Sequence, residues 1–157
     1  MSVTAIVALI VRYGLVMLFL PFSALDKIMG FEGAVTQAQE VFKPRILAAA
    51  VLLCGLCIEI IMSLGVVTGF ADRLAALIMA AYCAATAVLY KRFWAQGDFW
   101  RARDSNGRAL LWDFLKNLSL GAGFLLIVIG TNGSGLWPFL AHPLASSHPY
   151  AIAQEHR

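Results

Sequence analysis

Four long apolar stretches separate the polar linkers of this chain, and they run over residues 3–25, 46–68, 74–90 and 115–129. A helix that crosses a ~30 Å hydrocarbon core needs roughly 20 mostly apolar residues. The pattern therefore predicts an all-α membrane protein in which residues 1–130 form a four-helix transmembrane domain. Residues 131–157 are rich in Gly, Ser, Pro and His, and we expect an irregular tail there.

The first stretch predicts a retained helix rather than a signal peptide. It is long, no positive segment precedes it, and its cation, Arg12, lies in the middle. Pro21 predicts a kink near the end of this helix. The inward-facing stripe that its helical period indicates consists of Arg12, Val16, Phe19, Ser23 and Asp26 or Lys27. We expect Asp26 and Lys27 to lie at the solvated boundary.

The cations of the linkers are distributed unevenly. Those that follow the first stretch are Lys27, Lys43 and Arg45. Those around the linker before the fourth stretch are Lys91, Arg92, Arg101, Arg103, Arg108 and Lys116. The opposite side has only Arg73 and Arg157. Because cytoplasmic loops carry an excess of Lys and Arg, we predict an antiparallel bundle with both termini in the periplasm.

Composition supports a lipid environment. Hydrophobic residues make up 61% of the 157 residues and charged residues 13%, whereas soluble domains have about 45–50% and about 25%. The length fits one bundle and leaves no room for a separate catalytic domain. The basic residues lie in short linkers beside apolar spans, a pattern that does not indicate nucleic-acid binding.

Two charges lie in the middle of predicted spans, namely Arg12 and Glu59. Each lies roughly 14 Å from the periplasmic end of its helix. An unpaired charge at that depth costs at least ~2.5–3.5 kcal/mol, so we predict an Arg12–Glu59 ion pair. Two interpretations stay open, because the pair either fixes the register of two helices or lines a ligand pocket or proton path.

The start of the fourth span carries Asp113, Lys116 and Asn117, which share one helical face. Lys116 is long enough to reach the membrane interface. Asn117 is not, so we expect it to form a hydrogen bond with a neighbouring helix or with a bound ligand.

The cysteines Cys54, Cys57 and Cys83 all lie within spans. Cys54 and Cys57 form a C-x-x-C spacing, but nothing in the sequence around them stabilises a thiolate. Small buried side chains are the simpler interpretation, and a redox trio is the weaker alternative. The three histidines, His142, His148 and His156, are too widely spaced to predict a metal site.

Several motifs together resemble the DoxX family of small bacterial inner-membrane proteins. They are Arg12 followed by the segment 18–31, Glu59 with Gly65, the segment that begins at Arg73, and Phe114-Leu-Lys-Asn117 before Gly121. The resemblance covers roughly residues 8–130. It implies a four-helix bundle, and it implies a link to redox systems because the family takes its name from a subunit associated with a thiosulfate:quinone oxidoreductase.

The leading hypothesis is an accessory or anchoring subunit of a membrane redox system. It would hold a quinone or another apolar ligand, with Arg12, Glu59, Lys116 and Asn117 lining the polar part of the pocket. Its partners would be the lipid bilayer, a redox protein and further copies of itself. The alternatives are an oxidoreductase that uses Cys54 and Cys57 with a quinone, and a transporter of small molecules or lipids that acts as a homo-oligomer.

Overall fold

A computed structural model of the chain describes residues 3–100, 105–130 and 136–150. The helices in these residues are α1 (Val3–Val16), α2 (Ala24–Met29), α3 (Phe31–Gln39), α4 (Arg45–Thr68), α5 (Asp72–Tyr90), α6 (Asn106–Ile129) and α7 (Leu136–Ala141). A π-helical turn, Leu18–Ser23, joins α1 to α2, and a short 3-10 turn, Phe93–Ala95, follows α5. The described part of the chain contains no β-strand.

Four segments are long and apolar enough to cross a membrane, namely Val3–Met29, Arg45–Thr68, Asp72–Ala95 and Asn106–Ile129. They confirm the predicted all-α protein with four membrane-spanning helices. The last of them begins well before residue 115, because its first turns are polar and hydropathy does not detect them. Its N-terminus is capped by the Ser105 hydroxyl, which accepts from Arg108 N at 3.3 Å, and by Asp98, which accepts from Asn106 N at 3.0 Å.

The first span is broken at Leu20, whose backbone angles are φ −123° and ψ 111°. Pro21 follows it and explains the break, since proline has no N–H to donate and disfavours the helical conformation of the residue before it. The kink predicted at Pro21 is therefore found at this position. Beyond it, the turn and α2 bring Ser23 and Lys27 to the side of α4.

The bundle core lies where α5 packs against both α4 and α6. Gly121 allows α6 to approach α5 closely, since a Cβ at this position would lie 3.4 Å from the carbonyl oxygen of Ala80. The large apolar side chains of this core include Val16, Phe19, Val66, Met79, Phe124 and Val128. A second cluster, made by Val35, Ala38 and Ala48, fixes α3 against α4.

Residues 136–150, which belong to the segment after α6, cover one end of the bundle, which we call the tail end. This segment was predicted to be irregular, but it contains α7, whose Phe139 is buried against the core. Residues 142–150 continue without regular structure and contact the ends of α4 and α5. Of the residues used in the sequence predictions, Arg101, Arg103, His156 and Arg157 lie outside the described residues.

Candidate functional site

A polar cluster surrounds Glu59, whose residue surface is 1% exposed. Its Oε1 accepts a hydrogen bond from Tyr82 Oη at 2.7 Å and another from Ser23 Oγ at 3.1 Å. Lys27 Nζ also donates to Oε1 and forms an ion pair with it. Three donors from three different elements therefore meet at one carboxylate oxygen inside the bundle. We call Ser23, Lys27, Glu59 and Tyr82 the Glu59 cluster.

The other carboxylate oxygen, Glu59 Oε2, is buried and has no hydrogen-bond partner among the described residues. The hydroxyl of Ser63 is in the same state, one helical turn further along α4. A buried polar group without a partner costs about 1–3 kcal/mol. These two atoms are thus unused hydrogen-bonding positions on one face of α4.

Local sequence explains why the cluster forms. The break at Leu20 precedes Ser23 and Lys27, which are four residues apart on one helical face, and Lys27 Nζ donates to Ser23 Oγ at 2.9 Å. Gly55 leaves room for Tyr82, since a Cβ there would lie 3.2 Å from the phenol oxygen. The ring of Phe19 packs edge-on against Tyr82, with 6.2 Å between the ring centroids.

Arg12 belongs to a second polar cluster, at the tail end. Its Nη2 lies 2.7 Å from Asp72 Oδ2 and donates to Ser147 Oγ at 2.9 Å. Its Nη1 donates to the carbonyl oxygen of Val66 at 2.7 Å. Asp72 also accepts from the backbone N–H of Ser147 at 2.9 Å, so it is satisfied on both oxygens. We call Arg12, Asp72 and Ser147 the tail clasp.

The predicted Arg12–Glu59 ion pair is therefore wrong, since each residue has a different partner of opposite charge. The physical reason is the direction of the side chains. Side chains on a helix lean toward the N-terminus of that helix, so Arg12 leans toward Val3 while Glu59 leans toward Arg45. Two residues at matched depth then reach in different directions.

Further contacts at the tail end satisfy helix carbonyls that have no partner within their own helix. The guanidinium of Arg73 donates to the carbonyl oxygen of Val128 at 2.7 and 2.9 Å and lies 5.5 Å from the centre of the Phe139 ring. Tyr150 Oη donates to the carbonyl oxygen of Val67, and burial raises the pKa of this phenol above its ordinary value. These contacts thus stabilise the fold at the tail end of the bundle.

Lys116 and Asn117 do not join Glu59. The Lys116 side chain is 72% exposed, and its ammonium lies 3.5 Å from Asp113 Oδ1. Asn117 donates to the Thr86 hydroxyl of α5 at 3.4 Å, which is a contact of the interhelical kind expected from the sequence. The four residues predicted to line one pocket therefore lie in four separate environments.

The cysteines also lie in different environments. Cys54 and Cys57 are exposed on α4, whereas Cys83 is buried in the core, and all three are free thiols. The site residues that sequence reasoning missed are Tyr82, Asp72 and Ser147. Ser23 and Lys27 were recognised as members of a stripe, but the solvated position expected for Lys27 is wrong, since its ammonium pairs with the buried Glu59. For Lys27, the signal was its place four residues after Ser23 and beyond the helix-breaking Pro21.

Comparison with known proteins agrees with this architecture. The DoxX family model matches residues 7–92 of the chain, which include most of α1, the helix break and all members of the Glu59 cluster. The inner membrane protein YphA of Escherichia coli (strain K12) is 29% identical over 129 residues, covering 82% of this chain and 86% of that protein. No solved structure shows a significant match. The chain is therefore a multi-pass inner-membrane protein that belongs to the DoxX family.

Proposed function

We propose that this protein is an accessory or anchoring subunit of a membrane redox system and binds a quinone head group at the Glu59 cluster. The observation that carries the proposal is the buried Glu59 carboxylate, which has three donors on Oε1 and, among the residues that the structure describes, no partner on Oε2. Buried ionisable residues inside membrane spans are costly and mark functional sites by default.

The chemistry of the cluster suits both redox forms of such a ligand. A quinone carbonyl accepts hydrogen bonds, and the ammonium of Lys27 would donate to it in place of one of its present bonds, to Ser23 Oγ or to Tyr82 Oη. A quinol hydroxyl donates, and Glu59 Oε2 is an unused acceptor beside them. The Lys27 side chain is 22% exposed, so the head group would reach the site past this ammonium while its apolar tail stays in lipid.

The orientation in the membrane is part of the proposal: an antiparallel bundle with both termini in the periplasm. Two contacts support the antiparallel arrangement of the first two spans. Arg12, early in the first span, bonds Val66 near the end of α4, while Lys27, late in the first span, bonds Glu59. Alkaline phosphatase fused after residue 157 should be active in whole cells. If this fusion is inactive, and a cytoplasmic reporter fused at the same position is fluorescent, the orientation is the reverse of the one proposed.

A second candidate, transport by a homo-oligomer, is favoured by one observation. The break at Leu20 lies beside the Glu59 cluster, and transporters place discontinuous helices at their binding sites. Flux into liposomes that contain the protein tests this candidate. Solute entry no faster than in empty vesicles would remove it. The oxidoreductase alternative based on Cys54 and Cys57 has weaker support, because neither thiol is among the groups that contact Glu59 in the described residues.

Native mass spectrometry with lipid extraction tests the leading proposal on gently solubilised protein. We expect a quinone to be released from the wild type and from the control Glu32→Gln, which changes an exposed carboxylate. Glu59→Gln should release much less. A protein partner that co-purifies with both Glu32→Gln and Glu59→Gln would support the anchoring role. Wild-type protein that carries neither quinone nor partner would contradict the proposal.

A further inference from the structure

An open groove of about 570 Å³ lies between the first span and α6, outside the Glu59 cluster. Its lining residues are Leu18, Trp112, Leu115, Lys116, Ser119 and Leu120. Most of these side chains are apolar, and Lys116 supplies the charge. We call this surface the Lys116 groove. Leu18, Trp112 and Leu115 are 48%, 64% and 40% exposed, so the groove opens at the surface of the bundle, which contacts lipid in a membrane.

The groove continues into a stripe of exposed polar and aromatic residues toward the start of α6. Arg108, Trp112 and Lys116 recur at every fourth residue and therefore share one helical face. Trp112 is 64% exposed, and tryptophan favours the headgroup level of a bilayer. The order along α6 is thus a cation, an interfacial aromatic ring, a second cation and then apolar side chains.

The described residues balance the positive charge of this stripe only in part. Asp113 is the acidic partner of two ammonium groups, Lys91 at 3.1 Å and Lys116 at 3.5 Å. The side chain of Arg108 has no ion-pair partner within the described residues. Lys116 also lies roughly 15 Å along the helix from Asn106. A charge exposed to lipid at such a position is costly unless an anion or water reaches it.

We propose that the Lys116 groove binds an anionic phospholipid. Its phosphate would lie between Arg108 and Lys116, beside Trp112, and one acyl chain would lie along Leu115, Leu120 and Leu18. Basic pockets between transmembrane helices are a known way of binding acidic headgroups. A second copy of the chain fits less well, since it would bring the same cations to its partner.

Lipid titration monitored by native mass spectrometry tests this proposal on the full chain in mild detergent. The probes are phosphatidylglycerol and phosphatidylcholine with identical acyl chains. Wild-type protein should bind phosphatidylglycerol more tightly. Lys116→Gln should weaken that binding about fivefold, and the double variant with Arg108→Gln about 25-fold. Lys116→Arg keeps the charge and should retain binding.

The matched control is Lys43→Gln, which removes one exposed cation before α4. It should leave the affinity for phosphatidylglycerol unchanged. Equal affinity of the wild type for both lipids would overturn the proposal, and so would equal losses in Lys43→Gln and Lys116→Gln. A lipid-independent dimer that Lys116→Gln dissociates would also overturn it and assign the groove to a second copy.

Discussion

The ammonium of Lys27 and the carboxylate of Glu59 form an ion pair that joins α2 to α4 inside the bundle. The Glu59 side chain is 2% exposed and that of Lys27 is 22% exposed, so the pair is largely removed from water. Three donors bind one oxygen of Glu59, whereas the other, Oε2, has no hydrogen-bond partner in the described part of the chain. The pair therefore joins the broken first span to α4 and leaves one buried hydrogen-bonding position of the carboxylate unused.

Breaking this pair should destabilise the protein strongly. Lys27→Ala leaves a buried carboxylate without its cation, and removing one partner of a buried pair costs about 3–5 kcal/mol. Unfolding in mixed micelles would measure the loss for Lys27→Ala, Glu59→Ala and the double variant. We expect a coupling free energy of about 0.5–3 kcal/mol. Losses that simply add would show that the two residues do not interact.

The exposed pair Arg45–Glu32 is the control for this cycle, since its side chains are 66% and 75% exposed. Surface pairs contribute about 0–1 kcal/mol, so Glu32→Ala should change the free energy of unfolding little. A large effect there would mean that detergent, rather than burial, determines the measured energies.

A second cycle tests the partner of Arg12. Arg12→Ala and Asp72→Ala should show coupling of about 0.5–3 kcal/mol, whereas Arg12→Ala and Glu59→Ala should add within about 0.3–0.5 kcal/mol. Hydrogen exchange gives an independent readout, because loss of the Asp72 carboxylate also frees Ser147. Exchange in residues 142–150 should accelerate in Asp72→Ala. A larger coupling free energy between Arg12 and Glu59 than between Arg12 and Asp72 would contradict this assignment and support the Arg12–Glu59 pair.

The sequence was sufficient to predict four membrane-spanning helices and the buried stripe of the first helix, because both depend on the pattern of hydrophobic residues. Arg12, Val16 and Phe19 are buried as that stripe predicted. It was also sufficient to single out Glu59 as a costly charge that needs a partner. These inferences concern which residues are buried, and burial is the property that composition and hydrophobic periodicity indicate.

The partners of those charges could not be predicted from depth alone. Arg12 meets Asp72 because of the lean of its side chain, and Asp72 lies at a helix start that the linker pattern assigned to a loop. Tyr82 reaches Glu59 only because Gly55 on the facing helix has no side chain. Such contacts depend on helix rotation and on close approach, which a single sequence does not encode in its hydropathy.

Close packing of α5 and α6 makes Gly121 sensitive to bulk. A Cβ there would lie 3.5 Å from Cys83 Cβ, so alanine fits while leucine overpacks the contact. Gly121→Leu should cost about 1–3 kcal/mol of unfolding free energy. Gly14→Leu is the matched control, because nothing lies within 4 Å of the Cβ position at Gly14. Equal tolerance of both changes in a thermal unfolding assay would contradict this packing.

The cysteines should differ in their effect on stability. Cys54→Ser and Cys57→Ser change exposed side chains and should each alter stability by less than about 0.5 kcal/mol. Cys83→Ser places a hydroxyl in a core position that is 1% exposed, and an unpaired buried hydroxyl costs about 1–3 kcal/mol. Unfolding curves of the three variants measure this. A loss of quinone binding in the Cys54/Cys57 double variant would instead favour the thiol mechanism.

Quinone binding at Glu59 is the central claim, and titration of decylubiquinone into nanodisc-embedded protein tests it most directly. Binding read by quenching of tryptophan fluorescence should saturate in the wild type and in Glu32→Gln. Glu59→Gln keeps the size of the side chain but replaces one carboxylate oxygen by a donor, so binding should weaken at least about tenfold. If Glu59→Gln binds as the wild type does, or if the wild type shows no saturable binding, the Glu59 cluster is not a quinone site.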